Sequence, residues 1–128
     1  MQEAKAFKYI IPNIPPSNNK YIGRENRFEY QDIKKSWAEL VKLFCRPKPQ
    51  KPLDKSIVFL IYYFPDRRRR DPDNYSGKMI LDGLVRSGII KDDSFNCIRL
   101  FLDGRYDKDN PRTEIIIKEL KQWKEILF

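Results

Sequence analysis

One stretch sets the architecture of this chain, Ile57 to Asp93, which reads IVFLIYYFPDRRRRDPDNYSGKMILDGLVRSGIIKDD. The segment from Ile57 to Phe64 is continuously apolar, β-branched or aromatic, which predicts a strand buried on both faces. Arginines and aspartates follow, and Asp73 and Asn74 are good N-cap residues for a second helix of about three turns. Gly88 is a plausible C-cap for that helix. A strand, a charged loop and a helix therefore form the centre of the predicted fold.

Patterns on either side of this stretch supply the remaining elements. Ala6 to Ile11 predicts a first strand, and apolar spacing from about Glu29 to Phe44 predicts an amphipathic helix. Ile98 to Leu102 and Thr113 to Ile117 predict two further strands, joined as a hairpin by a long loop. The expected fold class is α+β, with a small mixed β-sheet of about four strands packed against two main helices.

Length and composition restrict the class of protein. With 128 residues, 41% hydrophobic and 13% aromatic, the chain should form a single domain over residues 1–128. The amphipathic tail, KELKQWKEILF, predicts a short helix that docks on this domain or on a partner. The net charge of +8 favours a polyanionic partner, although a basic balance alone is weak support.

The compartment follows from the cysteines and from the absence of targeting patterns. Cys45 and Cys97 lie far apart in unlike contexts, which predicts reduced thiols in a cytoplasmic protein. The N-terminus shows no secretion signal. The longest strongly apolar run, Ile57 to Phe64, is far shorter than the roughly 20 residues of a membrane helix, so no membrane association is expected.

The chain contains no histidine. This excludes Ser-His-Asp and Cys-His catalysis, histidine general bases and histidine-ligated zinc. Any enzyme built from this sequence must work through carboxylates, lysine or a metal ion.

Asp71 and Asp73 are the first candidate metal ligands. Residues i and i+2 of an extended backbone project to the same side, and Pro72 disfavours the helical state for Asp71. Two such carboxylates repel each other unless a cation lies between them, and Mg²⁺ or Mn²⁺ suits the pair. The alternative is a solvated turn without a metal ion, in which an aspartate caps the helix.

Asp92 and Asp93 follow the predicted helix at a turn that could return the chain to Asp71 and Asp73. The predicted metal site depends mainly on this return of the chain. Lys78 lies near the N-terminus of the helix, where an ammonium is unfavourable unless an anion is close. It could stabilise charge on a phosphate, or it could simply pair with Asp82 at i+4.

The run of Arg67, Arg68, Arg69 and Arg70 is either a solvated edge or a phosphate-binding surface. The planar fork of arginine suits bidentate phosphate contacts, which favours binding of nucleic acid. The early loop, PNIPPSNNKYIGR, is either a rigid surface turn or a loop that holds side chains such as Asn18 and Lys20 near a phosphate.

At these residues the sequence resembles the RusA-type Holliday junction resolvases, metal-dependent endodeoxyribonucleases of bacteria and their prophages. The early loop IPPSNNKY resembles the PPSxN loop of that family, and RRRRDPDN resembles its arginine-rich DxDN motif. KMILDGLVRSGIIKDD resembles its pattern of Lys, Asp-x-Leu, Gly and Asp-Asp. One departure is the spacing between Asn74 and Lys78, which is three residues here and two in the family pattern.

The resemblance implies a metal site of Asp71, Asp73 and Asp93, with Lys78 as the essential lysine and Asn74 as the asparagine of DxDN. It also implies a homodimer acting on branched DNA. Such an enzyme would use Mg²⁺-activated water to resolve four-way junctions by paired symmetric nicks. The alternatives are a flap, fork or nonspecific nuclease, and a non-catalytic basic module that binds nucleic acid.

Overall fold

A computed structural model of the chain describes residues 5–20 and 27–121. These residues form, in order, β1 (Ala6–Ile11), α1 (Arg27–Phe44), β2 (Ser56–Phe64), α2 (Lys78–Arg86), β3 (Ile98–Tyr106) and β4 (Arg112–Glu119). Short 3₁₀ turns occupy Asn18–Lys20 and Pro72–Tyr75. The mixed sheet and two helices confirm the predicted α+β class. Most of the predicted C-terminal helix lies outside the described residues.

The strand order is β1-β4-β2-β3, with β2 parallel to β3 and antiparallel to β4. The predicted hairpin between β3 and β4 is therefore wrong, because β2 lies between them. The intervening loop passes the end of β2, where the Asp107 amide donates to the Phe64 carbonyl at 2.9 Å.

Side-chain character explains why β4 is internal and β3 is at an edge. Ile115 and Ile117 of β4 are fully buried, and apolar residues of this kind favour an interior strand. β3 instead carries Arg99, Asp103 and Arg105, and charged side chains protect an edge strand against pairing with other chains. The length of the loop between β3 and β4 could not show that β2, rather than β4, lies beside β3.

The two helices of the described residues cover only one face of the sheet. Val58, Leu60 and Tyr62 of β2 are buried in the core on that face, whereas Ile57, Phe59 and Tyr63 on the other face remain partly exposed. The prediction that β2 is buried on both faces thus holds only in part, because Ile61 is the one buried β2 side chain on the second face. We call this second surface the open face; its apolar part is formed by Ile10, Ile57, Phe59, Ile61, Phe101 and Ile116.

Helix α2 is shorter than predicted and begins at Lys78 rather than after Asn74. Gly83 packs so closely on α1 that a β-carbon there would lie 2.9 Å from a Val41 methyl group. The helix ends at Arg86 with Ser87 as its C-cap, and Gly88 follows with a left-handed φ of 75°. Gly88 thereby has the terminating role that the sequence predicted.

The Ile89 amide donates to Leu84, and the Leu53 amide donates to Ile89. The chain after α2 is thereby held at the beginning of β2. Cys45 and Cys97 are both free, as predicted, and both are buried.

Candidate active site

The arginine loop, residues 66–71, leaves the C-terminal end of β2 and is held by its own ion pairs. The Asp66 carboxylate accepts a hydrogen bond from the Arg68 amide at 3.1 Å and pairs with Arg70 Nη1 at 2.9 Å. The hydrogen bond from Arg70 and that from the Arg68 amide together keep the pKa of Asp66 below its ordinary value. Asp66 therefore stays ionised and organises the arginines that follow it.

Arg70 points into the protein. Its guanidinium lies 4.3 Å from the centre of the Phe64 ring and donates to the carbonyls of Asp66 and Arg68. Only 16% of the side chain is exposed, against 78% for Arg68 and 89% for Arg69. Arg68 and Arg69 thus present their charge to solvent, whereas Arg70 fixes the shape of the loop.

Asp71 and Asp73 come directly after the arginines, but the two residues differ in backbone conformation. Asp71 is extended, with φ of −104° and ψ of 140°, whereas Asp73 is the second residue of the 3₁₀ turn that Pro72 opens. The expectation of an extended backbone through both residues is therefore wrong. Proline has the φ that the first residue of a helical turn needs and lacks the amide that would be unpaired there, so it starts the turn at little cost.

The two carboxylates also differ in their partners. Asp71 Oδ1 accepts from Arg69 Nε at 3.2 Å. Among the described residues, the Asp73 carboxylate makes neither a hydrogen bond nor an ion pair.

An aromatic cluster supports the acidic turn from below. The Tyr75 ring meets Phe64 edge-on at 5.1 Å and Tyr62 at 5.8 Å. Such pairs contribute about 0.5–1.5 kcal/mol each beyond the burial of their area. Burial raises the pKa of the Tyr62 hydroxyl above its ordinary value, so this group stays protonated.

Gly77 makes the turn from the aromatic cluster into α2. Its φ is 83°, a left-handed value that favours glycine. A β-carbon at this position would collide with Leu60 and lie 3.3 Å from the Tyr62 hydroxyl. The additional residue between Asn74 and Lys78 is thus part of a tight turn that precedes the helix.

The early loop packs against the acidic turn. Asn18 Nδ2 donates to the Asp73 carbonyl at 3.2 Å and to Ser76 Oγ at 2.9 Å. Thr113 of β4 anchors the start of the loop by donating to the Asn13 carbonyl at 2.7 Å. Lys20 lies in the neighbouring 3₁₀ turn, but its side chain is outside what the structure describes.

A polar cleft of about 370 Å³ separates the early loop from the arginine loop. The cleft brings together residues that are far apart in the sequence. Its lining residues are Ser17, Asn19, Arg68, Arg69, Arg70, Asp71, Asn74 and Tyr75. We call this surface the cleft.

Lys78 begins α2, and 61% of its side chain is exposed. Its ammonium lies 4.0 Å from Asp82 Oδ2, whereas Lys34 of α1 lies closer to the same oxygen, at 3.4 Å. Lys34 therefore supplies the tighter ion pair of Asp82. The Lys78 ammonium is only weakly held, and it is accessible at the N-terminal end of the helix.

Asp93 lies at the other end of the sheet from Asp71. Ile90 bridges to Leu53, and Ile98 pairs with Ser56, so residues 91–97 are held at the beginning of β2. The nine residues of β2 span about 26 Å at about 3.3 Å per residue. The predicted return of the chain to Asp71 and Asp73 is not seen within one chain.

Neither Asp92 nor Asp93 makes a hydrogen bond or ion pair within the described ranges. In the same ranges, no three Asp, Glu, Cys or His side chains cluster closely enough to hold a metal ion. A single chain thus supplies two of the three predicted ligands at one place.

Three cleft residues and one loop residue were not singled out by sequence reasoning. Ser17 and Asn19 belong to the PPSNNK segment, and Tyr75 follows the DPDN motif, so their proximity to known motifs was the available signal. For Asp66 the signal was its spacing, because it precedes Arg70 by four residues and Arg68 by two. Such spacings indicate ion pairing only once the loop conformation is known.

A small α+β domain whose cleft joins the Asp71 carboxylate to exposed arginines and amide side chains has the groups that phosphate binding requires. The comparison with protein families shows which class of protein this is. The family model described as Endodeoxyribonuclease RusA matches residues 12–118. The chain therefore belongs to the RusA endodeoxyribonuclease family, as its motifs predicted.

The search of curated proteins found no match. Neither helix of the described chain is both long enough and apolar enough to span a bilayer.

Proposed function

We propose that this chain is a Mg²⁺-dependent endonuclease that resolves four-way (Holliday) DNA junctions by paired symmetric nicks. The observation that carries the proposal is the cleft, where Asp71 lies beside the exposed Arg68 and Arg69 and next to the turn that bears Asp73. Phosphodiester hydrolysis needs anionic ligands for a cation beside cationic groups for the phosphate, and both are present here. Membership of an endodeoxyribonuclease family supports DNA as the substrate.

Asp71 and Asp73 would hold the metal ion. Mg²⁺ is commonly bound by one or two carboxylates together with water and substrate phosphate oxygens, and these two residues fit that requirement. Mn²⁺, with similar ligand preferences, should substitute for it. When bound, the ion would supply activation of water, a role that histidine cannot fill here because the chain has none.

The remaining residues would bind and orient the DNA. Arg67, Arg68 and Arg69 are exposed and suited to phosphate contacts, as is Lys20 by its position. Lys78 would neutralise charge that develops on the cleaved phosphate. Asn74 lines the cleft. Asn18 holds the early loop against the neighbouring turn that bears Asp73. Arg70 would act as a positioning residue, because its contacts are internal to the loop.

A homodimer would bring the third carboxylate to this site. Asp71 and Asp93 of one chain are separated by most of the length of β2, whereas packed sheets lie only about 10 Å apart. A twofold axis between two open faces, perpendicular to the strands, places the beginning of one β2 against the end of the other. The partner subunit's Asp93 would then lie near Asp71 and Asp73.

The open face has the character of such an interface. Phe59 and Phe101 stack on it with ring centres 5.2 Å apart. Phe101 is 47% exposed, as is Ile10. No described element covers these apolar side chains, and burying them against a second copy removes apolar surface from water.

Cleavage of synthetic DNA tests the proposal directly. The protein is incubated with a four-way junction, a replication fork, a flap and a matched duplex, each with Mg²⁺, with Mn²⁺ or with EDTA. We expect metal-dependent, symmetric nicks in the junction and little cleavage of the duplex. Equal cleavage of forks and flaps would indicate a broader nuclease. Binding without cleavage in either metal would indicate a non-catalytic module.

Subunit mixing tests whether the site is shared. Asp73→Asn and Asp93→Asn should each be inactive alone, but a mixed dimer would keep one site with all its carboxylates. Random exchange should therefore restore nicking to about a quarter of the wild-type rate. If each site uses carboxylates of one chain only, mixing restores nothing. Light scattering of both variants provides the control that they remain dimeric.

A further inference from the structure

A second basic surface lies at the other end of α2 from the cleft. It is a groove of about 1020 Å³ between the C-terminal half of α1 and the C-terminal end of α2. Its floor includes the half-buried Ala38 and the buried Cys45. Five exposed basic side chains and one acidic side chain line it: Lys35, Lys42, Arg46, Lys48, Arg86 and Glu39. We call this surface the basic groove.

The positive charge of the basic groove is not neutralised by neighbouring carboxylates. Within residues 5–20 and 27–121, none of its five cations belongs to an ion pair. Arg46 donates to the Lys42 carbonyl and Lys48 to the Ser87 carbonyl, each at 3.2 Å. These hydrogen bonds fix two side chains in place but leave their charge uncompensated.

Helix capping explains part of this arrangement. Cations at the last turn of a helix interact favourably with its dipole, which accounts for Arg46, Lys48 and, in part, Lys42 and Arg86. It does not account for Lys35, which lies more than two turns before the end of α1. Capping also does not require two helix ends and Lys35 to border a single groove.

We propose that the basic groove binds the sugar-phosphate backbone of a DNA arm, at a distance from the cleaved bond. The inference rests on the proposed function for its substrate. Unpaired cations on the rim suit phosphates that follow one another along a strand, because they release counterions condensed on the DNA. The apolar floor suits the sugars between those phosphates.

The dimensions agree with a single arm that runs from the cleft to the groove. Helix α2 has nine residues between Lys78 and Arg86, and spans about 12 Å at about 1.5 Å per residue. At about 3.4 Å per base pair along one strand, this corresponds to about four base pairs. The basic groove would therefore contact phosphates about four base pairs from the nick.

A charge-matched pair of variants tests the inference by binding. The groove variant combines Lys35→Gln, Lys42→Gln and Arg86→Gln, and leaves unchanged Arg46 and Lys48, whose side chains donate to backbone carbonyls at the helix ends. The control variant combines Lys5→Gln, Lys51→Gln and Lys108→Gln, which removes equal charge from residues that do not line the basic groove. The Kd for a four-way junction is measured in EDTA at several salt concentrations, and thermal unfolding checks that both variants fold.

We expect the groove variant to bind at least about tenfold more weakly near physiological salt, with the slope of log K against log salt reduced by about two. The control variant should change the slope by less than about one. Equal effects of the two variants would overturn the inference. So would retention of wild-type DNA binding by a groove variant that has lost binding to polyglutamate, because the groove would then serve an acidic peptide.

Two further results keep the inference separate from the proposed function. If the wild type binds junctions through the basic groove but never cleaves them, the inference about the groove is supported and the proposed nuclease function is refuted. If the groove variant does not fold, hydroxyl-radical footprinting of the wild type decides. Protection about four base pairs from the junction centre supports the inference, and protection confined to the cleft overturns it.

Discussion

The arginine loop and the basic groove carry similar numbers of positive side chains but partner them in opposite ways. Three of the four arginines in the loop form ion pairs with Asp66 or Asp71. The five cations of the groove pair with no carboxylate in the described part of the chain. The most conspicuous basic run in the sequence is therefore partly neutralised by its own carboxylates, whereas, among the described residues, the cations of the groove are not.

This difference separates two tasks. In the loop, ion pairs hold a fixed geometry beside the carboxylates, which chemistry at one phosphate requires. In the groove, exposed cations without partners provide attraction that depends little on exact position, which suits backbone binding. Changes in the loop should therefore affect cleavage and stability, whereas changes in the groove should affect affinity.

The largest expected effect is that of Asp73→Asn. Loss of a metal ligand should remove several kcal/mol of transition-state stabilisation, and cleavage of a four-way junction should fall by about 10³-fold or more. Binding in EDTA should remain close to that of the wild type. Asp109→Asn, an exposed aspartate of the β3–β4 loop, is the matched control. Cleavage by Asp73→Asn at the rate of this control would refute the metal site.

Lys78→Gln should lower cleavage by about 10²-fold, because it removes one group that stabilises charge on the phosphate. The control is Lys34→Gln, since both ammonium groups face the same oxygen of Asp82. Single-turnover rates at saturating protein separate chemistry from binding. Equal losses in the two variants would mean that Lys78 acts only through Asp82.

Arg70→Ala should lower the free energy of unfolding by about 1–2 kcal/mol, because it removes the contact with Phe64 and hydrogen bonds to two carbonyls. Arg69→Ala should change it by less than about 0.5 kcal/mol, since that side chain is exposed. Urea unfolding measures both. A larger loss for Arg69 would contradict the assignment of Arg70 as the residue that fixes the loop.

The smallest effect concerns pH. The pKa of Asp66 is lowered in the folded chain, chiefly by the hydrogen bond from Arg70. Its contribution to stability is therefore complete at neutral pH, above the unfolded value near 3.8, and is lost as pH falls through the lower folded value. Thermal unfolding midpoints of the wild type and Asp66→Asn should differ at neutral pH and converge in acid. A constant difference across this range would contradict the linkage.

Local sequence patterns predicted most of the elements correctly. The four strands, the two helices and the role of Gly88 depend on neighbours a few residues away, through periodicity and backbone preference. The same holds for the early loop, although its contact with the acidic turn became visible only through Asn18. Family membership was predictable because its motifs are contiguous segments.

The main errors arise where packing between distant segments overrides a local pattern. The β3–β4 loop was compatible with a hairpin, but burial of Ile115 and Ile117 places β4 between β1 and β2. A spacing of two residues suggested that Asp71 and Asp73 share an extended backbone, but Pro72 starts a 3₁₀ turn over the aromatic cluster. In both places packing outweighed the local pattern.

The sequence by itself determined which residue types are available for chemistry: carboxylates, lysine and arginine, with no histidine. It also determined the local shape of most segments, because strands, helices and turns follow largely from interactions over a few residues. The tertiary structure alone decided which charges are neutralised and that Asp93 lies at the far end of β2 from Asp71. Those relations depend on strand order and packing, where the contacts join residues that no local pattern connects.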